Sequence, residues 1–340
     1  MAKYKITLFE GDGIGPEITR ELKRVFDALG LDIEYEEFLI GQRAYEKYGV
    51  LIPEKAIESI KRNKVAIKAP VTTPIGTGFK SVNVQLRLLF DLYVNLRPTQ
   101  SIEGVPSKYK DIDIVTFREN TEDLYVGDEY EIEGGYVAKK IITKKKSERI
   151  IRYAFEYARK YRRKKVTCVH KANILKKTDG LFLKIFNSIK QEYPEIVADD
   201  KIIDNMCMQL VTNPNQFDCI VTPNLYGDIL SDLISGLVGG LGVAPAANIG
   251  NDVAIFEAVH GSAPDIAGKG LANPVALFLS GALMLDYIGE HERASILREA
   301  ICETIKGQKA TIDLGGTLST SFFTNEIIDY LNLMICYKKD

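Results

Sequence analysis

Short apolar runs alternate along the chain with segments whose apolar residues recur every three or four positions, the pattern of an α/β protein. KITLFE (5–10) predicts a strand, and GDGIGP turns it into a helix from about 17 to 29. DIEYEEFLI (32–40) predicts a second strand, 53–62 a helix with Pro53 suited to its first turn, and VAIKAP (65–70) a third strand. DIVTFREN (113–120) and KVTCVHKAN (165–173) predict buried strands separated by a helix at 147–163. FDCIVTPN (217–224) is another such strand, followed by a helix from about Tyr226, and helices fit 272–288 and 291–306.

Two stretches break the alternation. VGDEYEIEGGYVAKKIITKKK mixes Tyr, Ile and Val with charges around Gly134-Gly135, which predicts a hairpin whose glycines supply a positive φ at the turn. So little apolar surface cannot stabilise a lone ribbon, so the hairpin is expected to lie against another chain. GLVGGLGVAPAANIG (236–250) reads as a hinge or domain crossing.

Composition narrows the class. The 340 residues, 46% apolar and 26% charged, suffice for one large or two ordinary domains. Forty-four basic against 46 acidic residues give no field that would gather nucleic acid or an anionic membrane. Cys168, Cys207, Cys219, Cys302 and Cys336 form no CxxC pair, and His170, His260 and His291 are too scattered for a zinc site. The N-terminus lacks a signal-peptide core, and the longest apolar stretch, at 275–285, is about half a membrane span. A soluble, cytoplasmic protein with reduced thiols is the expectation.

Candidate chemistry is carried by carboxylates and guanidiniums. GDGIGP at 11–16 fails as a dinucleotide fingerprint because Pro16 replaces the third glycine, and a tight βα turn explains it equally well. Asp228 and Asp232 in NLYGDILSDL stand at i and i+4, one face of a helix, where they either coordinate a divalent ion through oxygen or are two solvated charges. Arg87, Arg97 and Arg118 each end a short apolar or strand-like run, and planar guanidiniums suit a substrate with several carboxylates, or surface ion pairs. Lys171, after VTCVH, is a base if its pKa is depressed and otherwise a solvated lysine. The basic runs 139–146 and 159–165 lack aromatic platforms and read as solvated surface.

Taken together, GDGIGP, GFKSVNVQLRLLFDLYVNLRP, RENTEDLYVG, HKANILKKTDGLF, NLYGDILSDLISGLVGGLG and EAVHGSAPDIAGKGLANP resemble the β-decarboxylating dehydrogenases, the isocitrate, homoisocitrate and 3-isopropylmalate dehydrogenases, along almost the whole chain. The resemblance implies a non-Rossmann α/β fold of two domains, 1–97 with 250–340 and 98–249, the smaller carrying the dimer contact and a β arm at 125–146. It implies a homodimer with shared sites. Arg87, Arg97, Arg118, Tyr125, Asp228 and Asp232 then come from one chain, and Lys171 and Asp204 from the other. In that family pattern the three aspartates hold Mg²⁺ or Mn²⁺, Lys171 is the base, Tyr125 the proton donor and the arginines the carboxylate grip. NAD⁺ is expected at Thr73, Asn83, Asn173, His260, Gly261, Ala263, Asp265, Ile266 and Asn273.

By the same resemblance Ser81 and Asn83 face the substituent that separates family members. A hydroxyl and an amide suit a third carboxylate, which favours isocitrate; homoisocitrate, one methylene longer, is the alternative. Asp265 and Ile266 fall where the adenosine ribose should lie, and a carboxylate there accepts ribose hydroxyls and repels a 2′-phosphate, favouring NAD⁺. Some relatives are non-catalytic regulatory subunits, but Tyr125, Lys171 and all three aspartates are present here.

Overall fold

A computed structural model describes residues 2–72 and 81–337. In chain order its elements are β1 (Tyr4–Phe9), α1 (Gly15–Ala28), β2 (Ile33–Phe38), α2 (Gln42–Tyr48), α3 (Glu54–Asn63), β3 (Val65–Lys68) and α4 (Val82–Leu89). β4 (Val94–Gln100), β5 (Asp113–Glu119), β6 (Glu129–Ile132), β7 (Gly135–Ala138), α5 (Lys144–Lys160), β8 (Lys165–His170) and α6 (Thr178–Ile189) follow. The order is completed by β9 (Val197–Ile202), α7 (Ile203–Thr212), β10 (Cys219–Thr222), α8 (Asn224–Leu237), β11 (Pro245–Ile249), β12 (Ala254–Ala258), α9 (Val275–Tyr287), α10 (His291–Lys306) and α11 (Thr320–Tyr337).

One mixed sheet runs β2-β1-β3-β12-β11-β4-β5-β10-β8-β9. Its outer thirds, β2-β1-β3-β12 and β5-β10-β8-β9, are parallel, and the antiparallel pairings all fall on β12, β11, β4 and β5 in the middle. Parallel strands need helical crossovers that cover both faces, which is why the inner strands of these runs are largely apolar, while the edge strands β2 (IEYEEF) and β9 (VADDKI) carry charges. The expected strands and helices at both ends of the chain are present. The sequence pattern leaves the helices α2, α4, α6, α7 and α11 unassigned. α2 has seven residues and buries only Ala44, too little for a visible apolar stripe.

Three expectations need correction. Arg87 does not end a strand-like run; it lies in the last turn of α4. The glycine-rich stretch at 236–250 is a crossing only in part: Gly239 and Gly240 take positive φ, but residues 245–249 form β11, fully buried in the middle of the sheet. The hairpin forms, with Ile132 paired to Gly135, but of its two glycines only Gly134 takes a positive φ, at 74°. The alternation of Tyr130, Ile132 and Tyr136 leaves all three side chains in solvent.

The root of this arm is tied by buried polar groups. The Glu122 carboxylate accepts hydrogen bonds from the Thr143 amide (2.9 Å) and hydroxyl (2.8 Å), while the Asp123 amide donates to the Ile141 carbonyl (2.9 Å). Burial, reinforced by the neighbouring Glu119, pushes Glu122 up to about 7. The folded chain therefore holds more protons than the unfolded chain from the ordinary carboxylate range up to neutrality, and stability falls as pH rises through that window. In thermal melts Glu122→Gln should decline less than wild type between pH 5 and 8; parallel declines would remove Glu122 from this role.

Candidate active site

The site is built on one face of the sheet. Residues directly opposite in neighbouring strands share a face, so the registers Lys68↔Glu257, Asn248↔Ile255, Asn95↔Asn248 and Asn95↔Arg118 place Lys68, Glu257, Asn248, Asn95, Arg97 and Arg118 on the same side. Leu96, Ala247 and Phe256 point the other way. All six polar residues are buried, which is tolerable only if each is paired.

They pair with one another. Lys68 Nζ meets Glu257 Oε2 at 2.6 Å, and Arg87 Nη2 approaches Glu257 Oε1 at 3.7 Å. Asn248 Nδ2 donates to Glu257 (2.6 Å), Asn95 and Asn120 amides donate to Asn248 Oδ1 (2.9 Å each), and Arg97 Nε donates to Asn95 Oδ1 (2.7 Å). Burial works to raise Glu257, but Lys68 and Arg87 override it and hold the carboxylate at about 2. Burial, then repulsion from Arg118, draws Arg87 down to about 10, still charged at neutral pH.

Above this row stand α8 and the 3₁₀ turn Leu124–Val126. Arg118 Nη1 and the Tyr125 hydroxyl both donate to the Asp228 carboxylate. Arg97 reaches Asp228 at 3.5 Å and Asp232 at 3.1 Å. The Arg118 guanidinium lies 4.9 Å from the Tyr125 ring centroid. Burial would raise Asp228, but Arg118, the tyrosine hydroxyl, Arg97 and Arg87 together hold it below the usual carboxylate range. Burial, partly offset by Arg118 and reinforced by Asp228, raises Tyr125, so it is a protonated donor at neutral pH.

Pairing is incomplete where a ligand would matter. Among the described residues, Arg118 Nη2, Arg87 Nε and Asn83 Oδ1 are buried without a hydrogen-bond partner. Buried donors left unmet cost about 1–3 kcal/mol each, a cost that a multiply charged anion would remove. Asn83 stands one helical turn before Arg87 on α4, on the same face. Ser81 is the exposed N-cap of α4 and makes no capping bond with its side chain.

The remaining expected residues form other groups. Lys171 Nζ contacts Asp204 Oδ1 at 2.5 Å, and this pair holds Asp204 below its usual range. Within the chain no three Asp, Glu, His or Cys side chains among the described residues gather as a metal cluster, so Asp204 does not join Asp228 and Asp232 there. His260, Gly261, Ala263, Asp265, Ile266 and Asn273 lie on the loop between β12 and α9. It is fastened by the Ile14 amide to the Ser262 carbonyl (2.9 Å) and by the Thr72 and Ser262 hydroxyls (2.7 Å). Burial keeps His260 low and neutral, with Nε2 unpartnered. Asp265 is exposed. Asn273 is a clip, donating to Asp313 (2.9 Å) and accepting from the Val275 amide (2.9 Å). Asn173 is exposed in the turn after β8, and Thr73 lies outside the described residues.

GDGIGP has a definite structural role. Buried Asp12 accepts from the amides of Thr72 (2.7 Å), Gln42 (3.2 Å) and Arg43 (3.1 Å), and a Cβ on Gly13 would lie 1.9 Å from the Ser262 carbonyl oxygen. The motif thus fastens loops around the 260–273 segment. A cavity of about 820 Å³, lined by Leu96, Ala247, Phe256, Tyr153 and Tyr157, occupies the opposite face of the sheet and shares none of the site's polar residues.

Comparison with known proteins agrees with this arrangement. The family model described as isocitrate/isopropylmalate dehydrogenase matches residues 5–331. The chain belongs to that family. It is 51% identical over 328 residues to the mitochondrial isocitrate dehydrogenase [NAD] catalytic subunit 5 of Arabidopsis thaliana, covering 96% of this chain and 88% of the relative. Homoisocitrate dehydrogenase of Methanocaldococcus jannaschii is 48% identical over 340 residues, covering 96% and 97%. The crystal structure of isocitrate dehydrogenase from Methylococcus capsulatus superposes with a TM-score of 0.94 at 48% identity, covering 97% of this chain and 99% of that one.

Sequence reasoning missed Lys68, Asn95, Asn248 and Glu257. Their signal was present, since Lys68, Asn248 and Glu257 are each a lone polar residue in an apolar strand and Asn95 stands at an alternate position to Arg97, where burial demands a partner. It also missed Gly227, whose Cβ would lie 2.5 Å from Arg118 Cγ. Gly227→Ala should therefore displace Arg118 while keeping α8 helical. Titration calorimetry is expected to show at least tenfold weaker tricarboxylate binding, and the thermal midpoint should fall, because Arg118 Cβ, 2.6 Å from the added methyl, cannot move without its buried strand. Wild-type affinity would show that Arg118 does not need this clearance.

Proposed function

We propose that the chain oxidises isocitrate with NAD⁺ and decarboxylates it to 2-oxoglutarate and CO₂, with Mg²⁺ or Mn²⁺ bound at Asp228 and Asp232. The carrying observation is a trio of buried guanidiniums, two of which, Arg87 and Arg118, keep an N–H group unmet among the described residues, gathered beside two carboxylates and a protonated tyrosine. Such a site recognises several carboxylates at once. Ser81 and Asn83 on the adjoining α4 add a hydroxyl and an amide, which favour a third carboxylate over an alkyl substituent. Homoisocitrate is the second reading, supported by the full-length likeness to the Methanocaldococcus jannaschii enzyme and by the small discrimination a methylene provides.

The donors fit a hard divalent ion, because Asp228 and Asp232 offer only oxygen and Asp228 is held ionised. When bound, the ion polarises the substrate hydroxyl and the carboxylate beside it. NAD⁺, the hydride acceptor, fits along the 260–273 loop, with Asp265 free to take the ribose hydroxyls. Lys171 removes the hydroxyl proton as hydride leaves. Tyr125 then protonates the carbon that CO₂ departs from. Arg87, Arg97 and Arg118 hold the carboxylates throughout.

Lys171 and Asp204 reach this site from a second copy. On α7, Asp204, Met208 and Val211 fall on one helical face, and Met208 (54% exposed) and Val211 (41%) are bare there, as is Ile229 (49%) on α8. A homodimer that covers this face and the hairpin delivers Asp204 and Lys171 to the neighbour's Asp228 and Asp232. The location we favour is the cytoplasm, with Cys168, Cys207, Cys219 and Cys302 all free thiols; the Arabidopsis relative is mitochondrial. No helix among the described residues is long and apolar enough to cross a membrane.

Initial rates of the purified single chain should be highest with isocitrate and NAD⁺, vanish in EDTA and return with Mg²⁺ or Mn²⁺. Faster turnover of homoisocitrate selects the second reading, and activity in chelator removes the metal. The shared site is tested separately. Lys171→Ala and Tyr125→Phe chains should each be nearly inactive, yet co-refolded they should recover up to about a quarter of wild-type activity, since half the dimers are mixed and half their sites are whole. No recovery despite proven hetero-dimers would place both residues in one chain's site.

A further inference from the structure

Beneath the arm, one lysine joins the two groups of site residues. Lys140, between β7 and Ile141, has a side chain only 12% exposed. Its ammonium lies 2.7 Å from Asp179 Oδ1, 3.7 Å from Asp123 Oδ1 and 4.2 Å from the Tyr226 ring centroid. Both carboxylates are fully buried. Each also holds a backbone amide of the site. Asp179 Oδ2 accepts from the Lys171 amide at 2.7 Å, and Asp123 Oδ2 accepts from the Leu225 amide at 2.9 Å in the first turn of α8, the helix of Asp228 and Asp232. Asp123 keeps φ at 72°, a conformation costly for a non-glycine residue and maintained only where the surroundings enforce it. Tyr125 lies two residues further along the same turn.

We propose that Lys140 is a positioning residue that couples the placement of α8 and Tyr125 to the placement of Lys171. Its charge is required, since two buried carboxylates without it repel each other and release the amides they hold. In the shared-site dimer on which the coupling rests, α8 serves the chain's own site while Lys171 serves the neighbour's. One Lys140 therefore sets residues in both sites of the dimer.

The test compares Lys140→Met and Lys140→Arg as homodimers, and Lys140→Met paired with wild type in dimers isolated by two affinity tags. Lys140→Met should lower kcat at least tenfold with KM for substrate and NAD⁺ within twofold, and Lys140→Arg should recover at least a third of kcat. The mixed dimer should retain less than a quarter of wild-type activity, because the altered chain disturbs its own site and its neighbour's. A mixed dimer at half activity overturns the coupling, and an unchanged kcat in the Lys140→Met homodimer overturns the positioning role. Should Lys140→Met not fold, Lys140→Gln replaces it in the same measurements. Failure of both to fold, with Lys140→Arg fully active, assigns Lys140 to stability alone and overturns the proposal. Loss of kcat without complementation between Lys171→Ala and Tyr125→Phe separates a failed shared site from a failed role for Lys140.

Discussion

The organising constraint is the burial of positive charge. Arg87, Arg97 and Arg118 are each less than a tenth exposed, and no protein interior accepts three guanidiniums without acceptors close by. The surrounding architecture supplies them. Glu257 answers Arg87 from below and Asp228 answers Arg118 and Arg97 from above, while Asn95 takes the remaining Arg97 donor. The antiparallel β12-β11-β4-β5 centre brings Glu257, Asn95, Arg97 and Arg118 to one face, because its registers align alternate positions of strands from distant parts of the chain, and α8 adds Asp228 above it. Among the described residues, the buried donors of these three guanidiniums that stay unmet are Arg87 Nε and Arg118 Nη2.

Much of this was legible in the sequence, and the reasons differ by residue. Asp228 and Asp232 share a helical face by spacing alone, and α8 forms where the pattern predicts it. Arg97 and Arg118 stand out as charges inside apolar strands, VNLRP and VTFREN, and both prove to be buried. Arg87 was singled out on a misread element, because NVQLR supports either period over so few residues. The Lys68–Glu257–Asn248 row was not legible as a unit. Each member is visible as an isolated polar residue, but their partnership depends on strand order, and β12 lies between β3 and β11 only once a long crossover is known.

The first βα turn shows how a motif can be read correctly in the negative and still be underestimated. Pro16 rules out a dinucleotide fingerprint, and a tight turn is what forms. Yet the turn's carboxylate, Asp12, collects three amides from two separate loops, and Gly13 lets the chain pass within contact of Ser262. The glycines are needed for backbone approach to protein, where a Rossmann turn would use them for approach to a pyrophosphate. Sequence gives the conformational requirement; only the fold shows what is approached.

The two groups of site residues also differ in how they are held, and that difference has mechanistic sense. The three arginines are buried and cross-linked to partly exposed Asp228 and to Asn95 and Glu257, which fixes the guanidiniums before any ligand arrives, the condition for electrostatic preorganisation. Lys171 and Asp204 instead form a pair in which Asp204 is 71% exposed, near the bare face of α7. A charged pair in water is worth little to stability and is easily separated. Lys171 can therefore exchange Asp204 for another partner at small cost, which suits the proton-accepting role proposed for it. Its backbone is not similarly free, being held through Asp179 by Lys140 at the root of the arm. The mobile ammonium is thus mounted on a fixed peptide, and the same ammonium–carboxylate cluster sets the N-terminus of the helix that carries Asp228 and Asp232.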